Sequence, residues 1–207
     1  GGGARGGACS MFLLFAIDHP ENFESTVAEA KQIVFSLLDC EKPVIAKVNG
    51  AAVGLGATLA LFCDIGIAAE TAIFADPHVS IGMVAGDGGA VIWPQLIGFA
   101  RAKEFLFTGD KINAVRASEI GLINRAVPAD KLDAEVDAFA DRLAAGATKA
   151  IRWTKVTANI ALKQLAHSMM DTGLAYEALT NISADHRERV QTFRERSSRA
   201  ASQKATS

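Results

Sequence analysis

The sequence is sparing with cysteine. Three cysteines, Cys9, Cys40 and Cys63, stand among 207 residues, and no C-x-x-C pair occurs. That pattern excludes a disulfide framework and a cysteine zinc site, and it fits a reducing, cytoplasmic setting. Charge of either sign is also lacking in excess. Lys and Arg number 21 against 23 Asp and Glu, a net charge of −2. There is no bulk attraction toward nucleic acid or anionic lipid, and neither partner is expected. No apolar run is long enough to span a bilayer. The longest early one, Met11 to Ile17, has only Arg5 as a basic residue ahead of it, so a signal peptide is not expected either. H-E-x-x-H and G-x-S-x-G are absent, and His19, His167 and His186 stand at no metal-ligand spacing. No metal site is expected.

What is present is ordinary globular material. Half the residues are apolar and 21% are charged, enough for one domain with a real core. Residues 1 to 16 open as a low-complexity, glycine-rich tail. Helical spacing runs from Glu21 to Asp39 through Phe23, Val27, Ile33, Val34, Leu37 and Leu38. "KPVIAKVNG" reads as a short buried strand ended by Asn49-Gly50, and a helix follows from Leu55 to Phe62. "DIGIAAE", "AIF" and "GLINRAV" read as further strands. "ADPHVSIGMVAGDGG" reads as a loop, with a helix after Gly89. From Pro128 to Ser198 the pattern is almost entirely helical, with breaks or kinks expected at Gly146 and Gly173. Alternating units followed by helices predict an α/β core carrying a helical appendage.

The stretch Gly54-Leu55-Gly56 carries chemistry. Glycine allows unusual backbone angles and close approach of a ligand to the main chain. A helix starting there points unpaired N–H groups outward, at the positive end of its dipole. A developing negative oxygen is stabilised at such a place. A tight strand-to-helix turn with no ligand is the alternative reading of the same residues.

Taken together, "KPVIAKVNG", "GLG", "CDIGIAAE", "GDGG" and "FTGD" followed by "GLIN" closely resemble the crotonase (enoyl-CoA hydratase/isomerase) superfamily from about Ile17 onward. The resemblance implies a ClpP-like spiral ββα core over residues 17–128 and a helical C-terminal region, 129–207, that builds trimers or hexamers. It implies an acyl-CoA thioester substrate whose enolate oxygen is held by backbone N–H groups, with Leu55 as one donor. Gly54, Gly56, Thr58 and Gly86 would line that site. Coenzyme A would arrive as part of the substrate, with no other cofactor. Phe193 and Arg196 would lie near the coenzyme A of a neighbouring subunit. The family's further oxyanion donor and first strands lie ahead of the matched region. The core is therefore expected to be incomplete at its N-terminus, as in a truncated or frame-altered member.

Two departures matter. Hydratases of this superfamily that use two glutamates carry one in the first helical turn and one in a "Q-P-E"-like loop. Here those positions are Thr58 and His78. The two-carboxylate scheme therefore does not carry over. Asp87 is the replacement, as acid and base, with His78 as an auxiliary base or orienter. Asp87 also reads as the N-cap of the helix opening at Gly88 or Gly89, and Asp76 reads as a turn residue beside Pro77. The main expectation is an enoyl-CoA hydratase-like lyase. The spacing of His78 and Asp87 also resembles 6-oxocamphor hydrolase, which cleaves a carbon–carbon bond. A double-bond isomerase and a non-catalytic assembly fragment complete the alternatives.

Overall fold

One rule of connection runs through the paired strands: two strands separated by two or three residues do not pair with each other but belong to different sheets. That rule organises the molecule, seen in a computed structural model that describes residues 23–205, with side chains over 27–195. Helix α1, Phe23–Asp39, leads to β1, Ile45–Val48. Asn49-Gly50 turns the chain into β2, Ala51–Val53, which the sequence reading had left unassigned. Helix α2, Leu55–Phe62, then carries it back to β3, Ile65–Ala69, and β4, Ile73–Ala75.

β1 and β3 pair in parallel, with Ile45 beside Ile65, and β2 and β4 pair in parallel, with Ala51 beside Ile73. Each strand–strand–helix unit therefore adds one strand to each of two sheets, which is the expected spiral. The first sheet has the order β1-β3-β6 and the second β2-β4-β5. Ile67, Ala68 and Ala69 of β3 are fully buried, as befits a central parallel strand covered on both faces.

After β4 come a 3₁₀ turn, His78–Ile81, and helices α3, Gly89–Ile97, and α4, Phe99–Thr108. The antiparallel β5, Ile112–Asn113, was not foreseen; two residues are too short for a periodic signal. Helix α5, Ala114–Glu119, follows. Only Arg125–Val127 of "GLINRAV" forms a strand, β6, because Gly121 and Leu122 close the end of α5. Helices α6, Leu132–Ala144, α7, Thr148–Asn181, and α8, Ala184–Ala205, complete the described chain.

Gly146 separates α6 from α7 as expected, but Gly173 breaks nothing. It sits inside α7, a 34-residue helix about 50 Å long. The buried face of α7 repeats at helical spacing through Ala166, Met170, Leu174, Glu177 and Asn181. A buried lysine ties this helix to the core. Lys155 Nζ pairs with Asp64 Oδ2 at 2.7 Å and donates to the carbonyls of Leu37 (3.2 Å) and Lys42 (3.1 Å). Those three acceptors repay the desolvation of the ammonium. No helix among the described residues is long and apolar enough to cross a membrane.

Candidate active site

The site begins at the turn into α2. Gly54 takes φ 57° and ψ −127°, a conformation that costs a side-chain-bearing residue dearly. Its N–H donates to the Ala75 carbonyl at 3.0 Å, and its own carbonyl accepts from Ala57 and Thr58. The N–H groups of Leu55 and Gly56 find no acceptor among the described residues, as the first turn of a helix requires. Leu55 is half-buried and Gly56 is exposed; a Cβ added to Gly56 would meet nothing within 4 Å. The turn therefore presents two free donors on an open side.

One helical turn on, Thr58 is fully buried and its hydroxyl donates to Asp87 Oδ1 at 3.4 Å. This contact fixes the loop 82–88 against α2. Gly88, at φ 118°, lets the backbone pass within van der Waals range of Thr58 and Phe62, where a side chain would collide with both. Gly88 is the helix N-cap and Asp87 only approaches the Gly89 N–H at 3.4 Å, so capping is a minor part of what Asp87 does.

His78 opens the 3₁₀ turn and is buried between carboxylates. Its Nδ1 pairs with Asp76 Oδ1, and its Nε2 lies 3.7 Å from Asp87 Oδ2. Asp76 is thus more than the turn residue read from the sequence. Pro77 and the tight turn fold its carboxylate back onto the His78 ring, and it is 1% exposed. Gly89 leaves room for its other oxygen; a Cβ there would stand 2.0 Å from Asp76 Oδ2.

A fourth group was missed. Glu177, on the core face of α7, is buried with Oε2 unpaired among the described residues. It reaches the site because Gly86 and Gly173 let loop and helix touch. A Cβ on Gly86 would fall 2.3 Å from the Gly173 carbonyl oxygen and 2.8 Å from Glu177 Oε2. The signal available in the sequence is a lone carboxylate following Ala166, Met170 and Leu174 at helical spacing.

The electrostatics follow from this packing. Burial works against a charged His78, but Asp87, Asp76 and Glu177 together overcome it and raise its pKa to about 10. His78 is therefore a cation at neutral pH. Burial pushes Asp87 up from the ordinary carboxylate range; the His78 charge and the donors Gly89 and Thr58 pull back against it. Burial likewise raises Glu177 to about 7, with His78 and the Gly86 N–H opposing. The result is a buried carboxylate of enhanced basicity beside a fixed positive charge, about a helical turn from two free backbone donors.

Of the residues foreseen, Gly54, Leu55, Gly56, Thr58, His78, Gly86 and Asp87 converge here. Gly86 packs against α7, and its N–H donates to the Val84 carbonyl. Phe193 lies on α8, half-exposed, and no described contact joins it to the cluster. Arg196 and the residue 1–16 tail lie outside the residues whose side chains are described. Asp76, His78 and Asp87 offer three ligand atoms within 4.8 Å of one another. Both ring nitrogens of His78 face these carboxylates, Nδ1 toward Asp76 Oδ1 and Nε2 toward Asp87 Oδ2, which is the arrangement of a proton network.

The family model for enoyl-CoA hydratase/isomerase matches residues 17–203. A crotonyl-CoA hydratase from Syntrophomonas wolfei is 45% identical over 129 residues, 62% of this chain and 50% of that protein. The chain thus spans about half the length of this curated relative. The solved structure of an enoyl-CoA hydratase/isomerase from Mycobacterium paratuberculosis superimposes with a TM-score of 0.77 at 38% identity, over 82% of this chain and 67% of the other. A β-diketone hydrolase from the cyanobacterium Anabaena sp. PCC 7120, solved with (S)-3-oxocyclohexyl acetic acid bound, matches with a TM-score of 0.75 at 37% identity, over 80% and 66%. With the spiral of paired strands, the glycine turn into α2 and the matched span, the chain belongs to the enoyl-CoA hydratase/isomerase family of the crotonase superfamily.

Proposed function

We propose that this site hydrolyses the carbon–carbon bond between the two carbonyls of a β-diketone, with Asp87 as base and the His78 cation as its electrostatic partner and proton donor. The observation that carries the reading is the buried Asp76–His78–Asp87 cluster, found where a two-glutamate hydratase would need carboxylates. Likeness to a β-diketone hydrolase at 37% identity supports it.

In this reading Asp87 takes a proton from water as the water oxygen bonds to one carbonyl carbon. The bond from that carbon to the central carbon then breaks. Its electron pair becomes an enolate, whose oxygen is held by the N–H groups of Leu55 and Gly56. A proton returned through His78 to the central carbon gives a ketone and a carboxylic acid. Asp76 keeps the ring oriented, as a carboxylate behind a catalytic imidazole does. The test is acid formation from a cyclic β-diketone, compared with Asp87→Asn. Removing a general base typically costs about 10²–10⁴-fold.

A second reading, hydration of an enoyl-CoA, is supported by the activity named for the Syntrophomonas relative. There Asp87 would deliver the same proton chemistry to a thioester enolate. Solvent deuterium entering an enoyl-CoA without net hydration would instead identify an isomerase. Exposed Tyr176 and Leu179 on the last turns of α7, with Ile182 just beyond its end, support self-association, in line with the trimer or hexamer that the resemblance implies. A chain that associates but turns over neither substrate class would be an assembly subunit.

A further inference from the structure

His186 is fully buried at the start of α8 and lies outside the catalytic group. Its ring Nδ1 faces the carbonyl of Ile81 at 2.5 Å. Its backbone N–H donates to Ser183 Oγ at 3.1 Å, which holds the start of the helix. Gly82, the next residue of the loop, has φ 70° and lies so close that a Cβ would meet His186 Cα at 3.0 Å. Ile81 is the last residue of the 3₁₀ turn that His78 opens, and Met83 N–H closes that turn onto the His78 carbonyl at 2.9 Å. The helix thus grips the far end of the turn whose near end carries the site imidazole.

We infer that His186 is a positioning residue: its Nδ1–H holds the Ile81 carbonyl and so fixes the 3₁₀ turn that aims His78 at Asp76 and Asp87. A carbonyl acceptor sets the tautomer, since only a protonated Nδ1 can donate to it. Nε2 has no partner among the described residues. An unpaired buried nitrogen is costly, and apolar residues would fill the space more cheaply. The Ile81 contact is what the imidazole gains in return. A second hold, Val84 N–H to Thr180 Oγ1 at 3.2 Å, fastens the other side of Met83 but does not touch the turn itself.

The inference rests on the reading of His78 as part of the site, but its test needs no substrate. NMR titration of the His78 ring reports whether the ring still sits among Asp76, Asp87 and, from α7, Glu177, the groups that face it. In the wild-type protein the ring is expected to titrate well above the free value, at about 10, because its carboxylates hold the proton. In His186→Leu, which fills the space without a donor, it is expected to fall toward the free value of about 6.5 as the ring leaves its carboxylates. His186→Asn, whose amide can replace the Nδ1 donor, should restore most of the shift. An unchanged His78 titration in His186→Leu overturns the inference, as does an equal loss in both variants, because volume rather than the hydrogen bond would then be responsible. Should His186→Leu not fold, nitrogen NMR of the wild-type ring decides. A protected Nδ1–H tautomer upholds the role, and an Nε2–H tautomer overturns it. If His78 behaves as expected while diketone cleavage is absent, the positioning role stands and only the proposed reaction fails.

Discussion

At the residue scale the site is an arrangement of protons. His78 is raised from 6.5 to about 10 and Glu177 from 4.5 to about 7. In both cases the folded protein holds the proton more tightly than the unfolded chain, so stability falls as pH rises. The Glu177 contribution is lost between about 4.5 and 7, and that of His78 between about 6.5 and 10. Melting temperature should therefore decline with pH across both windows. In Glu177→Gln the decline between 4.5 and 7 should shrink, leaving the share of Asp87, which burial also raises, and the later one should persist. Melting curves across pH check this; an unchanged acid-side slope would mean that Glu177 is not the titrating group. The same substitution should remove any limb near pH 7 from the rate profile.

At the scale of elements, the loop 82–88 is held by two surfaces that the chain meets far apart in sequence. Thr58 on α2 binds it from one side and Gly173 on α7 from the other. Gly86→Ala should lower stability by about 1–3 kcal/mol, the usual range for overpacking, since its Cβ would enter the Gly173 carbonyl. Gly173→Ala should cost less. Its Cβ would meet Gly86 Cα at 3.2 Å, and alanine returns up to about 1 kcal/mol of helix propensity. Denaturant melts of the two variants test the order; equal losses would contradict the packing described.

This is also where the sequence was and was not legible. The glycine turn, α2 and β3 could be read because each is local: turn chemistry, continuous apolar runs and a helical period. Asp76 reads in the sequence only as a turn residue, because sequence cannot tell that a 3₁₀ turn folds its carboxylate onto His78. Gly173 reads in the sequence as a break or kink, because its value lies in contact with Gly86, remote in sequence. Glu177 escaped for the same reason. The strands Ala51–Val53 and Ile112–Asn113 are too short for periodicity and exist only through pairing with β4.

At the scale of the whole molecule, the C-terminal helices do two things. Their inner faces complete the site through Glu177 and brace it through His186. Their outer face leaves Tyr176, Leu179 and Ile182 between 57% and 60% exposed, a price in solvated apolar surface that self-association would remove. Leu179→Lys should shift sedimentation toward a smaller species if this patch joins copies of the chain, and an unchanged oligomer would place the contact elsewhere.

The measurement that tests the account most directly is parallel turnover of a cyclic β-diketone and a short enoyl-CoA, with wild-type protein and Asp87→Asn. The account predicts keto-acid formation from the diketone, lowered at least about 100-fold by Asp87→Asn with the fold intact. Hydration of the enoyl-CoA with the diketone untouched, or diketone cleavage indifferent to Asp87→Asn, would contradict it.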